Sequence, residues 1–312
     1  MIPSIQPSSD LFLSSIERIQ NQASKAQQQI SSGLRVSASS DAPDDISSIL
    51  VLRSQIAGVQ QVQHNLANVS PRVDSAESAI QQAIQVLDTA TTLAAQAVSG
   101  TADASQRSDL APQVQALLEQ LVSLSQTSVN GHYVFSGDQD QNVAFTVDLA
   151  TGNGVRAMIA PPPGPPGQVQ DANGVLFSIG MTAQTVFDSG DVGNGTYAPE
   201  NVFAAVTGLL NALKANNVSG PGGIEDAISN IKKASAHLND VSSFYGAAQN
   251  RISDATDSAG NMLISLQKQL RDEQDADVVQ ATLDLNSALN HLNAAMAAEA
   301  KLKPQSLFDY LG

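Results

Sequence analysis

The residues best suited to acid/base or metal chemistry in this chain are four histidines. Each stands alone, with no second histidine one helical turn away, and the 312-residue chain contains no cysteine. Metal sites and catalytic pairs need several such groups at close spacing, so the pattern favours exposed or capping histidines. We therefore predict no metal, no cofactor and no catalytic residue among them. The four are His64, His132, His237 and His291.

Two further groups of residues look like binding motifs but have simpler interpretations. The stretch GDVGNG at 190–195 has the wrong order for a phosphate loop, and no helical pattern opens after it, which indicates a turn. Asp44 and Asp45 precede an apolar run, where carboxylates complement the positive end of a helix. Acidic residues surround Arg156 between 138 and 200, which leaves a calcium site as an alternative to a solvated outer tip.

The composition excludes several classes of function. The formal net charge of −15 argues against nucleic-acid binding, because phosphate binding requires a basic surface. No stretch approaches the roughly 20 apolar residues of a membrane span, and the N-terminus lacks the features of a cleavable secretory signal. Only 14% of the residues are charged, and Ser, Gln, Asn, Thr and Ala replace them. Uncharged polar helix faces can lie against other protein without burying unpaired charges, which favours a subunit packed among its own kind.

Most of the chain repeats apolar residues every three or four positions, which predicts helices packed lengthwise on one another. The longest stripe runs from Leu52 to Ala97, and Pro71 within it predicts a kink or a fresh helix start with Ser70 as N-cap. A second long stripe begins at Ile224, changes phase near 269–277 and resumes at Val278. A change of phase in such a pattern marks a stutter or a domain junction.

Between the helical parts, the sequence becomes rich in glycine, proline and short β-type runs, namely HYVF at 132–135, VAFT at 143–146 and VLFS at 175–178. The sequence therefore predicts a mainly α fold, a long antiparallel helical bundle or coiled coil formed by both chain ends, with a small β-rich inserted domain. The predicted boundaries are an N-terminal assembly segment (1–42) that pairs with a C-terminal one (275–312), helical core halves at 43–130 and 201–274, and the insert at 131–200.

Short motifs in both chain ends resemble those of the flagellins and their hook-associated relatives. ISSGLRV at 30–36 with DAPDD at 41–45 is similar to the family's N-terminal signature, and Thr101 with Gln106-Arg107 is similar to the family's turn between its first two long helices. GAAQNRI at 246–252 and DAD at 275–277 are similar to the C-terminal pair. Four motifs in the family's order make the resemblance specific over roughly 10–135 and 200–312.

Within that family, three features resemble the hook–filament junction branch more than filament flagellin. They are Pro43 where flagellins tend to have alanine, the glycine-bounded run GHYVFSG at 131–137, and the ending SLFDYL at 306–311. The resemblance implies an extracellular, non-enzymatic subunit of the bacterial flagellum, exported by the type III route without a cleavable signal. The partners it implies are further copies of the chain in a ring, the first hook-associated protein, flagellin and an export chaperone, with no membrane insertion.

The apolar stripes of the two chain ends are thin, and neither can be buried by its own helix alone. We expect both ends to stay poorly ordered until partner subunits cover them. Filament flagellin is the first alternative, a type III secretion tip or translocator protein the second, and an enzyme carried in the β insert a distant third. The predicted interface residues are Ile16, Ile19, Ile30, Leu34, Leu285, Leu289, Leu292, Met296, Leu307 and Phe308.

Overall fold

The computed structural model describes residues 6–38, 41–100, 102–159, 167–189 and 197–301, and the side chains within these ranges except those of 6–9 and 299–301. The helices are α1 (Gln6–Ser32), α2 (Pro43–Val98), α3 (Ala104–Ser125), α4 (Ala183–Phe187), α5 (Val202–Lys214), α6 (Ile224–Gln274) and α7 (Val278–Lys301). The strands are β1 (Ser128–Val129), β2 (His132–Tyr133), β3 (Phe145–Val147), β4 (Val155–Ala157), β5 (Gln168–Gln170) and β6 (Leu176–Ser178). The prediction of a mainly α fold with a small β-rich insert is confirmed.

The chain divides into two compact units. The first contains residues 1–58 and 263–312, and the second contains residues 59–262. In the first unit α1 packs against α7, and the start of α2 and the end of α6 complete it. Its buried apolar side chains are few and mostly small: Ala26, Val36, Ile49, Leu52, Leu266, Ala281 and Ala288.

The second unit buries the long apolar stripes that the sequence predicts. Leu66, Ile80 and Leu87 of α2 are fully buried, as are Leu118 and Leu121 of α3. A polar bond also joins α2 to α6 there, since Gln249 Nε2 donates to Asp74 Oδ1 at 2.9 Å and to Glu77 Oε2 at 2.7 Å. The glutamine of the GAAQNRI motif therefore ties the two longest helices together.

Helix α2 runs without interruption through Pro71, so the predicted fresh start at Ser70 is wrong. The Ser70 hydroxyl donates to Asp74 Oδ2 at 3.5 Å and does not cap a helix. Pro71 is exposed, and so is Ala67, whose carbonyl oxygen loses its helical donor. Water can satisfy that carbonyl, and this lowers the cost of an interior proline.

The turn between α2 and α3 is held by side chains of the predicted family motif. Asp103 and Gln106 form a capping box, in which each side chain accepts from the backbone N–H of the other residue. The Arg107 guanidinium donates to the carbonyl oxygens of Ala97 and Ala102 and to Asn216 Oδ1. It thereby satisfies free carbonyls at the end of α2 and attaches the loop after α5.

The β-rich insert consists of antiparallel two-stranded ribbons, β1 with β2, β3 with β4 and β5 with β6. Aromatic rings join it to the helices of the second unit. Phe187 stacks on Phe203 with centroids 5.7 Å apart and meets Phe135 edge-on at 5.4 Å. Tyr245 of α6 meets Phe135 at 6.3 Å, and its hydroxyl accepts from the Met181 N–H at 3.0 Å. These aromatic contacts give the unit a continuous core.

Candidate assembly interface

The helices at the two ends of the chain pair through small side chains. Ala26 on α1 and Ala281 and Ala288 on α7 are each only 3% exposed. Larger side chains are partly buried beside them, namely Ile16, Ile19, Ile30, Leu285 and Leu292. Alanine allows the two backbones to approach closely but removes little apolar area from water, so this pairing contributes less stability than a leucine-rich seam.

The breaks between α1 and α2 and between α6 and α7 meet each other. Leu34 forms an isolated antiparallel β-bridge with Asp275, the Arg35 N–H donates to the Gln274 carbonyl oxygen at 2.7 Å, and the Ala276 N–H donates to the Gly33 carbonyl oxygen at 2.8 Å. We call this contact, residues 33–36 with 273–276, the clasp. It joins ISSGLRV with DAD, two motifs more than 200 residues apart in the sequence.

Local chemistry explains why the helices end and begin at the clasp. Gly33 ends α1 with φ +71°, a left-handed conformation that costs glycine little, and its N–H donates to the Gln29 carbonyl oxygen. Asp277 begins α7, because its Oδ1 accepts from the N–H groups of Val279 and Gln280. Asp44 and Asp45 lie in the first turn of α2, as predicted.

The loop before α2 is organised around the carboxylate of Asp41. Its Oδ2 accepts from the Ala38 N–H at 2.7 Å and from the N–H and hydroxyl of Ser37, both at 3.0 Å. These hydrogen bonds, that from Ala38 foremost, lower the pKa of Asp41 because they stabilise the ionised form. The Ser37 hydroxyl also accepts from Gln28 Nε2 and so ties the loop to α1.

Large apolar side chains stand exposed on the helices of the first unit. The largest exposed fractions are those of Val279 at 73%, Leu11 at 72% and Ile264 at 65%. Among the described helical residues of the second unit, only Met262 is a large apolar side chain counted as exposed. Concentrations of exposed apolar side chains are typical of protein–protein contact surfaces. Among the described residues of the first unit, the exposed large apolar side chains are Leu11, Leu13, Leu50, Val51, Ile264, Val278, Val279, Leu283, Leu289 and Met296.

The predicted interface residues fall into three groups. Ile16, Ile19, Ile30, Leu285 and Leu292 lie partly buried on the paired faces of α1 and α7, and Leu34 lies in the clasp. Leu289 and Met296 of α7 are 44% and 61% exposed. Leu307 and Phe308 lie outside the described residues.

Several residues of this region were missed by the apolar pattern. Ala281 and Ala288 are buried on α7, on the same face as the partly buried Leu285 and Leu292 of the predicted stripe. Arg35, Gln274 and Asp277 act through hydrogen bonds, which hydrophobic periodicity does not register. The only sequence signal for Arg35 and Asp277 was their place in the family motifs.

A groove of about 560 Å³ lies in the first unit beside the paired helices. Lys25, Arg35, Asp41, Asp284 and His291 line it, so its charges have both signs and no buried polar group converges on a point.

Within the described ranges no three His, Asp or Glu side chains are placed to hold a metal ion. Arg156 is paired with Asp148 at 2.6 Å. The described helices also include none that is long and apolar enough to cross a membrane.

Comparison with known protein families identifies the family to which this chain belongs. The bacterial flagellin N-terminal helical region matches residues 7–140, and the bacterial flagellin C-terminal helical region matches residues 228–311. The chain belongs to the flagellin family. The two matched regions contain α1 to α3 and most of α6 and α7, so the family's defining parts are the helices that form the clasp and the apolar faces.

Curated members of the flagellin family match over different shares of their length. Flagellin of Halalkalibacterium halodurans is 22% identical over 93% of this chain and 92% of its own. Flagellar hook-associated protein 3 of Escherichia coli is 29% identical over 60% of this chain, and that of Salmonella typhimurium is 29% identical over 66%. These matches span 58% and 66% of the two hook-associated proteins themselves.

Solved structures with the same fold include hook-associated proteins of the flagellin family. A flagellar hook-associated protein from Vibrio parahaemolyticus superimposes with a TM-score of 0.62 at 18% identity. The superposition covers 75% of this chain and 100% of the Vibrio chain. Flagellar hook-associated protein 3 from Legionella pneumophila superimposes with a TM-score of 0.57 at 15% identity, over 72% of this chain and 98% of the Legionella chain. Their likeness supports the fold assignment over about three quarters of this chain.

Proposed function

We propose that this chain is a non-enzymatic structural subunit of the bacterial flagellum that acts as an adaptor where the hook meets the filament. It assembles with further copies of itself through the two chain ends. The neighbours would be the first hook-associated protein on one side and flagellin on the other. An export chaperone would hold the chain before type III export to its extracellular site.

The observation that carries this proposal is the exposure of large apolar side chains on helices that have little core of their own. Val279, Leu283 and Leu289 on α7 are each more than two-fifths exposed, while the buried described positions of that helix are Ala281 and Ala288. Burial of a leucine contributes about 1.5–3 kcal/mol, so covering several of them in an assembly would offset the ordering of both ends. Free chain and assembled subunit would then be distinct states.

The junction position is favoured over the filament by the relatives with the same fold. Solved structures of hook-associated proteins align with this chain over nearly the whole of their own length. The motif GHYVFSG contains β2 and the buried Phe135, which contacts other aromatic rings of the core. Filament flagellin stays the second candidate, because the Halalkalibacterium flagellin match extends over almost the full length of both chains.

Immunogold electron microscopy on intact cells tests the position directly. Antibody raised against residues 131–200 should label one point where each filament meets its hook. A strain from which the coding sequence has been deleted provides the control for antibody specificity. Label along the whole filament would favour the flagellin alternative, and absence of label from every appendage would contradict both.

Circular dichroism of the purified chain tests the coupling of folding to assembly. We expect that removal of residues 1–40 and 275–312 removes little helical signal from the free monomer, because both ends order only in the assembly. The urea midpoint of the remaining core should stay unchanged as the control. A large loss of helical signal on trimming would show that the ends are already ordered in the monomer.

A further inference from the structure

The side chain of Arg35 touches both helices that enter the clasp. Its Nη2 donates to the Glu273 carbonyl oxygen at 2.6 Å, in the last turn of α6, and lies 2.9 Å from Asp45 Oδ2 in the first turn of α2. Its backbone N–H donates to the Gln274 carbonyl oxygen as well. One residue therefore joins the end of α1, the start of α2 and the end of α6.

The other contacts of the clasp depend little on side-chain type. The bonds of Leu34, Gln274 and Ala276 are made by backbone atoms, which any residue except proline could supply. The side chain of Val36 is only 3% exposed, and its apolar packing does not depend on a fixed geometry. Only Arg35 uses a charged side chain to select two particular partners.

The guanidinium group is suited to this task. It is planar and carries several N–H donors in a fixed geometry, so it can serve a carbonyl oxygen and a carboxylate at once. A lysine ammonium on a flexible stem would reach either partner but would not hold the same relative direction of both. Other charged groups near this side chain, Lys25, Asp41 and Asp284, line the neighbouring groove and are not its hydrogen-bond partners.

We infer that Arg35 is a positioning residue for assembly, which fixes the direction in which the pair of α1 and α7 leaves the ends of α2 and α6 within the first unit. This inference rests on the proposed function, since direction matters only if the apolar faces of the pair must meet a neighbouring copy. The backbone bonds keep the two breaks together. Arg35 sets the angle at which they are joined.

The test compares Arg35→Ala, Arg35→Lys and Asp45→Asn with Arg53→Ala, an exposed arginine of α2 in the same unit, as the matched control. Hook–filament assemblies are isolated from cells that express each full-length variant, and the bound chain is measured against the amount secreted. Arg35→Ala should reduce bound chain at least tenfold, and Arg35→Lys should restore it only in part. Asp45→Asn should have an intermediate effect, and Arg53→Ala should leave it unchanged.

Hydrogen–deuterium exchange on the bound chain in the isolated hook–filament assemblies gives a direct measure of the clasp, because both chain ends order only in the assembly. Peptides that contain residues 33–38 and 273–278 should exchange at least tenfold faster in Arg35→Ala than in Arg53→Ala, while peptides of α3 and α5 keep their protection. Equal exchange in both variants, or normal assembly of Arg35→Ala, would overturn the inference. Full rescue by Arg35→Lys would also overturn it, because a single charge would then suffice.

The outcome separates this inference from the proposed function. If the unsubstituted chain is absent from hooks and filaments, the proposed function fails whatever the role of Arg35. If the unsubstituted chain is present and Arg35→Ala is bound equally well, only the role of Arg35 fails.

Discussion

The two units of this molecule bury apolar side chains in opposite ways. The second unit closes its core with interlocking rings, and Phe135, Phe187 and Phe203 have no exposed surface. The first unit buries few apolar side chains, three of them alanine, and leaves leucine, valine, isoleucine and methionine in solvent. Both are built largely from the same kind of long helix, so helical periodicity alone does not distinguish them.

The difference indicates a division of labour between stability and assembly. A core that excludes water without help supports a fold in the free chain, whereas a surface that stays apolar needs a partner. Substitutions in the second unit should therefore change the free energy of unfolding. Substitutions on the exposed faces of the first unit should change assembly instead.

The largest expected effect on stability is that of Phe187→Ala. The side chain is fully buried and contacts both Phe135 and Phe203, so its removal leaves a cavity and should lower the free energy of unfolding by about 3–5 kcal/mol. Urea titration followed by circular dichroism measures the change. Leu289→Ala is the matched control in α7, and an equal loss there would abolish the contrast between the units.

A smaller loss is expected for Gly154→Ala in the β-rich insert. Gly154 has φ +75°, and an added Cβ would overlap Thr207 Oγ1 and come within 2.8 Å of Leu118 Cδ2. Strain and overpacking together should cost about 2–4 kcal/mol. Gly131→Ala has a similar φ of +82° with open space around the new atom, so it isolates the backbone contribution and should cost only about 1–2 kcal/mol. Equal losses would show that crowding at Gly154 is absent.

Tyr245→Phe should produce a smaller change with a distinctive pH dependence. The substitution leaves the Met181 N–H without its acceptor, at a cost of about 1–3 kcal/mol near neutral pH. Burial raises the pKa of Tyr245 to about 12, from an ordinary value of 10. The folded state thus favours the protonated phenol. The contribution of Tyr245 to the free energy of unfolding is therefore complete below pH 10 and is lost between pH 10 and 12.

Urea midpoints of the original chain and Tyr245→Phe, measured from pH 8 to 12, check this prediction. The original chain should lose stability more steeply above pH 10, and the two curves should converge. Parallel curves across that range would mean that Tyr245 ionises as readily in the folded as in the unfolded chain.

The smallest effect on stability is expected where the effect on assembly is greatest. Leu289→Ser with Met296→Ser replaces two exposed side chains of α7, so the free energy of unfolding should change by less than about 0.5 kcal/mol per site. The amount of chain bound in isolated hook–filament assemblies should fall sharply. Met158→Ser, at a position 53% exposed in the insert, is the matched control and should change neither quantity.

Periodicity predicted the helices well where leucine and isoleucine face a core. Leu66, Ile80 and Leu87 lie on the predicted stripe of α2 and are buried, and the predicted phase change near 269–277 corresponds to the break between α6 and α7. The short β-type runs also fell at β2, β3 and β6. In these places burial depends on apolar character, which the sequence displays directly.

The remaining features depend on forces that a hydrophobic pattern does not contain. On α7 the most buried positions are Ala281 and Ala288, next to the partly buried Leu285 and Leu292, because close helix approach favours small residues. Pro71 stays within α2 because solvent can satisfy the carbonyl it leaves free. The bridge from Leu34 to Asp275 joins residues that are distant in sequence, and only the family resemblance drew attention to both.

The pairing of α1 with α7 also sets an order of events during synthesis. The first helix to leave the ribosome has no partner before residues 278–301 have been made, so it stays unpaired at least through nearly the entire translation of the chain. The glutamines and serines of α1 keep the unpaired helix soluble during that time, although it also carries isoleucines. The contact of longest range in the molecule is thereby also the last one that the chain is able to form.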